Sequence, residues 1–210
     1  MSALTDIGKD AWDRAIKAAQ EVSAMRSMTL EVGILEDAGG VEPHDPDSPL
    51  TVAAIAGIHE FGATITIPAH EVEIHRQIAA DGQFLNGARF VKESKSNYAT
   101  THHVEEYTIT VPERSFIRAT VDAEQRMILD RGAELLREVA GGEMNAQKAM
   151  RLWGEDVVAR IRERISDGIA PPLAASTIKG RAGAGKGEGG DTPLYDTGHL
   201  LRSITYRVRA

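Results

Sequence analysis

Thr108-Ile109-Thr110-Val111-Pro112-Glu113-Arg114-Ser115-Phe116-Ile117-Arg118 decides the fold. Its first half alternates apolar and polar residues with period two, the pattern of a strand with one covered face. Proline then ends the ladder, and a proline just inside a helix start is favourable. The downstream apolar residues Ile117, Val121, Ile128, Leu135 and Val139, with Gly132, recur every three, four or seven positions, which predicts a helix from just after Pro112 to Gly141-Gly142. One segment therefore hands a strand to a long helix, the grammar of an α+β chain.

Working upstream, Thr64-Ile65-Thr66-Ile67-Pro68 nearly copies Thr108 to Pro112. The two copies bracket about forty residues with strand-like alternation at Val72 and Ile74 and punctuation at Gly82 and Gly87. Residues 66–109 read as an insertion, a β-hairpin or small β-lobe growing from a strand pair. Residues 1–65 and 110–210 read as one core domain. Two adjacent strands of similar composition would look the same, so duplication does not follow.

Before the insertion, a helix capped by Thr5 or Asp6 and running to about Met25 is expected from Ile7, Ala11, Ala15, Ala18, Val22 and Met25. Thr29 to Leu35 alternates as a strand, and Leu50 to Phe61 returns to helical spacing and stops at Gly62. Downstream, Asn145 to Ser166 carries the apolar line Met150, Trp153, Val157, Ile161 and Ile165, with Asp156 and Arg160 as an i,i+4 pair. Ala174 to Lys179 is short enough for one or two turns. Residues 180–191 are Gly-rich and basic and read as a flexible loop, and Ile204 to Arg209 alternates as a final strand. The expectation is about three main helices packed on a small mixed or antiparallel sheet.

The net charge of -7 argues against general nucleic-acid binding, which needs clustered cations. The charge is uneven: residues 171–210 carry +3, leaving -10 for residues 1–170. Between Glu31 and Asp47, six carboxylates (Glu31, Glu36, Asp37, Glu42, Asp45, Asp47) occur without Lys or Arg. A basic tail and an acidic loop on one chain could meet head-to-tail in a ring; equally, they could be two solvated surface segments. Cysteine is absent, which removes disulfides, thiolate metal sites and thiol catalysis. The first residues show no secretory pattern, and no run has the ~20 apolar residues of a membrane span.

The motifs that could carry chemistry are incomplete. Gly180-Arg181-Ala182-Gly183-Ala184-Gly185-Lys186 fits a phosphate loop until its eighth position, where Gly187 replaces the Ser or Thr that holds magnesium. His59-Glu60 lacks a second histidine four residues on; His102 and His103, and likewise His70 and His75, point to opposite faces of a strand. Ser176, Thr177 and Ser203 lie in no nucleophile elbow. Asp196-Thr197-Gly198 resembles an aspartic-protease triplet but leads into His199-Leu200-Leu201-Arg202, which reads as a turn opening a short helix. No catalytic residue, cofactor or metal is expected.

Four blocks carry a resemblance. Pro171-Pro172-Leu173-Ala174-Ala175-Ser176-Thr177-Ile178-Lys179 is followed, after a Gly-rich gap, by Pro193-Leu194-Tyr195-Asp196-Thr197-Gly198-His199-Leu200-Leu201-Arg202-Ser203-Ile204. With Ala53 to Gly62, ending His-Glu-Phe-Gly, and with Val111 to Arg118, this order is similar to that of neck, head–tail joining and tail-completion proteins of tailed bacteriophages, including tail components of lambdoid-type siphophages. The resemblance spans residues 53–206, with the insertion as its main departure. It implies a non-enzymatic virion protein, assembled in the host cytoplasm, present as a homo-oligomeric ring. Its implied partners are a head connector or adaptor, a tail terminator or tail tube proteins, with genomic DNA passing without sequence-specific binding and no membrane. A hydrolase or nuclease of mobile-element origin is the competing class. Residues expected to meet a neighbouring subunit or partner are Glu60, Arg114, Arg118, Lys179, Arg181 and Lys186. Arg114 and Arg118, spaced one helical turn apart, are expected on one side of the helix after Pro112, within reach of Glu60 or a neighbour.

Overall fold

The computed structural model describes residues 2–35, 40, 42, 43, 50–184 and 190–210. Among them the chain is mixed α+β, about half helical, with six helices and antiparallel sheets of two strands each. It divides into two compact units, Met1–Gly62 with Pro112–Ala210, and Ala63–Val111.

In the first unit α1 spans Ser2–Ser27. Its start corrects the expected cap at Thr5 or Asp6: Ala3 and Leu4 are strong helix formers with no breaker before them, so both residues fall inside the helix. Among its described side chains, only those of its last turns are buried. Met25 is buried and packs in a cluster with Leu135, Val139, Ala146, Ala149 and Met150, whereas Ala11 and Ala15 are exposed. β1 (Thr29–Gly33) pairs antiparallel with β6 (Thr205–Arg209), so the strand after α1 and the last strand form one ribbon. Glu31 lies opposite Arg207 and takes its guanidinium at 2.6 Å, with Arg209 at 3.1 Å. Part of the acidic stretch and the basic tail thus meet within one chain, by strand register. Glu36, Asp37, Asp45 and Asp47 lie outside the described residues.

α2 (Val52–Phe61) begins where the Thr51 hydroxyl accepts the Ala54 amide at 3.1 Å. It buries Val52, Ala56 and Glu60, one residue per turn on a single face. α3 spans Arg118–Ala140 and α4 Ala146–Ser166. α4 is the central element. The Asn145 side chain caps it through the Lys148 amide at 2.8 Å, and Val157, Val158, Ile161 and Ile165 form a core with Val52, Phe116 and Ile204. The Asp156–Arg160 pair forms at 2.8 Å. Small residues set how closely the elements approach. A Cβ on Gly132 of α3 would stand 2.6 Å from the Trp153 ring, and one on Gly154 would collide with the Tyr206 ring. Two expectations for α3 are corrected. It starts six residues after Pro112, not directly after it, and Val121 is exposed. Thr120 is buried in the first turn, and the apolar stripe within α3 runs through Ile128, Gly132, Leu135 and Val139.

α5 (Ala175–Ala184) corrects the flexible loop expected at 180–191: residues 180–184 continue a helix, and 185–189 lie outside the described residues. α6 (His199–Ser203) follows the Asp196-Thr197-Gly198 turn, with Gly198 at φ 72°.

In the second unit β2 (Ala63–Ile67) pairs with β5 (Tyr107–Val111), and β3 (His70–Arg76) with β4 (Tyr98–Val104), all antiparallel. Ile65, Ile67, Tyr107, Ile109 and Val111 share one face of the first ribbon, and Thr64, Thr66, Thr108 and Thr110 the other. Short 3-10 turns at Leu85–Ala88 and Glu93–Lys95 lie between β3 and β4.

Candidate functional site

Glu60 closes the buried face of α2 and is 5 % exposed. A carboxylate there needs partners, because an unpaired buried charge is strongly disfavoured. Its partners come from the segment that leads into α3. Oε1 accepts the Ser115 hydroxyl at 2.7 Å and the Arg118 amide at 2.9 Å; Oε2 accepts the amides of Phe116 at 2.8 Å and Ile117 at 3.0 Å. These amides lie at the helix start, where no intrahelical acceptor exists and where the helix dipole favours an anion. α3 has no side-chain cap of its own at Ile117, so Glu60 is its cap, donated by another helix. This is why the helix begins at Arg118. Ser115 adds a bond from the Ala119 amide at 3.1 Å.

Burial is the largest influence on the Glu60 carboxyl and opposes its ionisation. The bonds from Ile117, Arg118, Ser115 and Phe116 together outweigh it and hold the pKa below the ordinary value. Arg118 completes the arrangement: its Nε lies 3.2 Å from Oε1, and one terminal nitrogen donates to the Glu60 carbonyl and the Glu113 carboxylate, both at 2.9 Å. The guanidinium stands 4.5 Å from the ring centroid of Phe61, which is 65 % exposed. A cavity of about 250 Å³ opens beside them, lined by Ile34, Ala53, Gly57, Phe61, Phe116 and Ile117.

Arg114 behaves differently from its expected role. It lies before α3, not on it, and so shares no helix face with Arg118. It is 6 % exposed, and burial lowers its pKa. Its Nε donates to the Pro171 carbonyl at 2.7 Å and a terminal nitrogen to the Pro172 carbonyl at 3.1 Å, while its amide donates to the His59 carbonyl at 2.7 Å. The side chain is a fastener inside the unit and does not reach Glu60.

Arg181 is a second fastener. One terminal nitrogen reaches the carbonyls of Gly190, Thr192 and Tyr195 at 3.2, 3.0 and 3.1 Å, and Nε lies 3.4 Å from Asp196. The Asp-Thr-Gly triplet is thus tied to α5. Lys179 is exposed, and Lys186 lies outside the described residues. Of the six expected contact residues, the structure brings Glu60 and Arg118 together, places Arg114 beside them facing another segment, and sets Arg181 in its own network.

Ser115 and the carbonyls of Pro171 and Pro172 were not anticipated as partners. Ser115 just ahead of a helix is a residue type favoured at helix starts, but proline carbonyl direction leaves no mark on residue pattern. Among the described residues no group of three or more His, Asp or Glu side chains is arranged to hold a metal ion, and no helix is long and apolar enough to cross a membrane. Compared with protein-family models, with curated proteins and with solved structures, the chain finds no match in any of the three.

Proposed function

We propose that this chain is a structural virion protein of a tailed bacteriophage, a component of the neck or tail-completion ring that joins or seals the tail at the head–tail interface. The observation that carries the reading is how the four resembling blocks are used. His59-Glu60-Phe61 bonds to Ser115–Arg118, Arg114 bonds to Pro171-Pro172, and Arg181 ties α5 to Tyr195-Asp196. Residues that resemble the family signature are occupied with one another as architecture. Glu60, the carboxylate most tightly held among them, accepts donors at both oxygens and has a lowered pKa, which makes it a poor general base. On this reading several copies form a ring, DNA passes without sequence readout, and partners are the head connector or adaptor and the tail terminator or tube. The competing hydrolase or nuclease reading needs a group held open toward substrate.

The test is electron microscopy of a lysate from phage lacking this gene. Separate heads and tails, or tails with open ends, are expected, with rescue by the gene supplied in trans. Intact particles at normal yield would overturn the reading, and DNA cleavage by the purified protein would favour the alternative.

A further inference from the structure

A groove of about 870 Å³ between α3 and α4 is bordered by Glu113, Glu124, Glu163 and Asp167, against Arg160 and Arg164. Arg160 is already matched by Asp156 and Glu124 at 2.8 and 2.7 Å. Glu163 and Asp167 are exposed and make no ion pair among the described residues. Met127, 50 % exposed, offers an apolar floor. Glu113 is taken by Arg118 at 2.9 Å and Glu124 by Arg160, so the unmatched charges are the carboxylates of Glu163 and Asp167 against Arg164, beside Met127.

A surface of opposite sign exists on the same chain. In the loop 85–97, Arg89, Lys92 and Lys95 are exposed against one carboxylate, Glu93, and none of the three makes an ion pair among the described residues. Between them stands Phe90, 70 % exposed, with the Arg76 guanidinium 5.3 Å from its ring centroid. Three successive positive φ angles precede it, 55° at Asn86, 64° at Gly87 and 60° at Ala88. Asn and Gly tolerate that region; Ala is strained there. The backbone is held in this turn while an aromatic knob flanked by cations faces solvent.

We propose that the loop 85–97 of one copy docks in the acidic α3–α4 groove of a second copy, with Phe90 on the apolar floor and Lys92 and Lys95 toward Glu163 and Asp167. A contact between two different patches of one chain is heterologous, and such contacts close into rings when the rotation per copy allows. The acidic sign of the groove disfavours nucleic acid as its occupant. The proposal rests on the ring reading for its occupant only; the contact itself is measured on pure protein.

The chain has no cysteine, so introduced thiols are unique. Chains carrying Ser94→Cys and Ser166→Cys, exposed neighbours that spare Phe90 and Glu163, mixed under mild oxidation, should give a disulfide-linked heterodimer. Ser94→Cys mixed with Trp12→Cys, on the exposed part of α1, should not. The doubly substituted chain should give a covalent ladder. A heterodimer no more abundant than this control at about 1 mM protein, where even a millimolar contact is half occupied, would overturn the proposal; so would a double variant that only closes on itself. In sedimentation, Lys92→Glu with Lys95→Glu should weaken self-association by about 10-fold, and mixing with a Glu163→Lys, Asp167→Lys chain should restore it. Self-association indifferent to both reversals would also overturn it. Cross-links together with intact particles from the gene-deleted phage would leave the contact standing and remove the virion reading. Separated heads and tails without cross-links would do the reverse.

Discussion

At the scale of single residues, Glu60 shows how much architecture one carboxylate can organise. Both oxygens are occupied by donors from the lead-in to α3, so neutralising the group affects helix start and core together. Glu60→Gln keeps the shape but turns an NH₂ group toward amide donors, and is expected to destabilise by about 2–4 kcal/mol in urea unfolding. The pH dependence has a definite sign. The folded pKa lies below the ordinary value of 4.5, so the stability from ionised Glu60 is complete above that pH and is lost as pH falls through the folded value. The gap between wild type and Glu60→Gln should therefore narrow only in acid; a gap that stays constant from neutral pH through the acid transition would refute the capping role. Glycines give a matched pair. Gly132→Ala drives a methyl to 2.6 Å from the Trp153 ring, whose indole N–H also holds the Ile128 carbonyl at 2.9 Å, and should lose about 1–3 kcal/mol. Gly180→Ala, in α5 with open space around it, should be neutral or stabilise by up to about 1 kcal/mol. Thermal melts of the two variants separate packing from propensity.

Elements differ in how plainly they are written in residue pattern, and the difference follows from where their caps reside. α4 was legible from Asn145 to Ser166 because its cap, its buried line of Met150, Val157, Ile161 and Ile165, and its stop at Gly168 are all local. The strands were legible from alternation, but the pairing of β1 with β6 was not, and alternation at Tyr107 and Ile109 did not mark a covered face, since both are exposed. The start of α3 was not legible, because its cap comes from a residue 58 positions upstream of Arg118. In the candidate site the partnership of Glu60 with Arg118 was foreseeable from charge, while the turn of Arg114 toward Pro171 and Pro172 depended on non-local chain direction. Only the end of α5, residues 180–184, was illegible, because glycine suggests a loop; Arg181 offsets that tendency by binding three carbonyls beyond the helix. One terminal nitrogen of Arg181 holds the carbonyls while its Nε faces Asp196; lysine has a single nitrogen and cannot hold both, so Arg181→Lys is expected to lower stability by about 1–3 kcal/mol. Hydrogen exchange should speed up across 175–184 and 190–196 and stay unchanged in α4. Equal protection in both proteins would show that the fork contributes nothing to the element.

At the scale of the chain the described residues fall into two compact units, Met1–Gly62 with Pro112–Ala210, and Ala63–Val111. Every residue of the two hydrophobic clusters belongs to Met1–Gly62 or Pro112–Ala210, and none to the second unit. The second unit leaves the core through β2 and returns through β5, and Ile67 and Tyr107 are partners in that register. Two partnered residues are the natural flanks of a two-residue hairpin turn, for which Asn-Gly has the required positive φ angles. Replacing residues 68–106 with Asn-Gly should therefore convert β2 and β5 into a simple hairpin. The change in loop-closure entropy is only about 2–3 kcal/mol and favours the shorter connection. The variant is expected to stay soluble and to melt cooperatively by circular dichroism, with α3 and α4 intact. It also lacks Phe90, Lys92 and Lys95, so it should neither self-associate nor restore joined particles when supplied to the gene-deleted phage. An insoluble or molten product would mean that the replaced segment supports the core. A folded product that rescues particle assembly would mean that the replaced segment makes no contact the assembly needs, and would count against docking of the 85–97 loop as well.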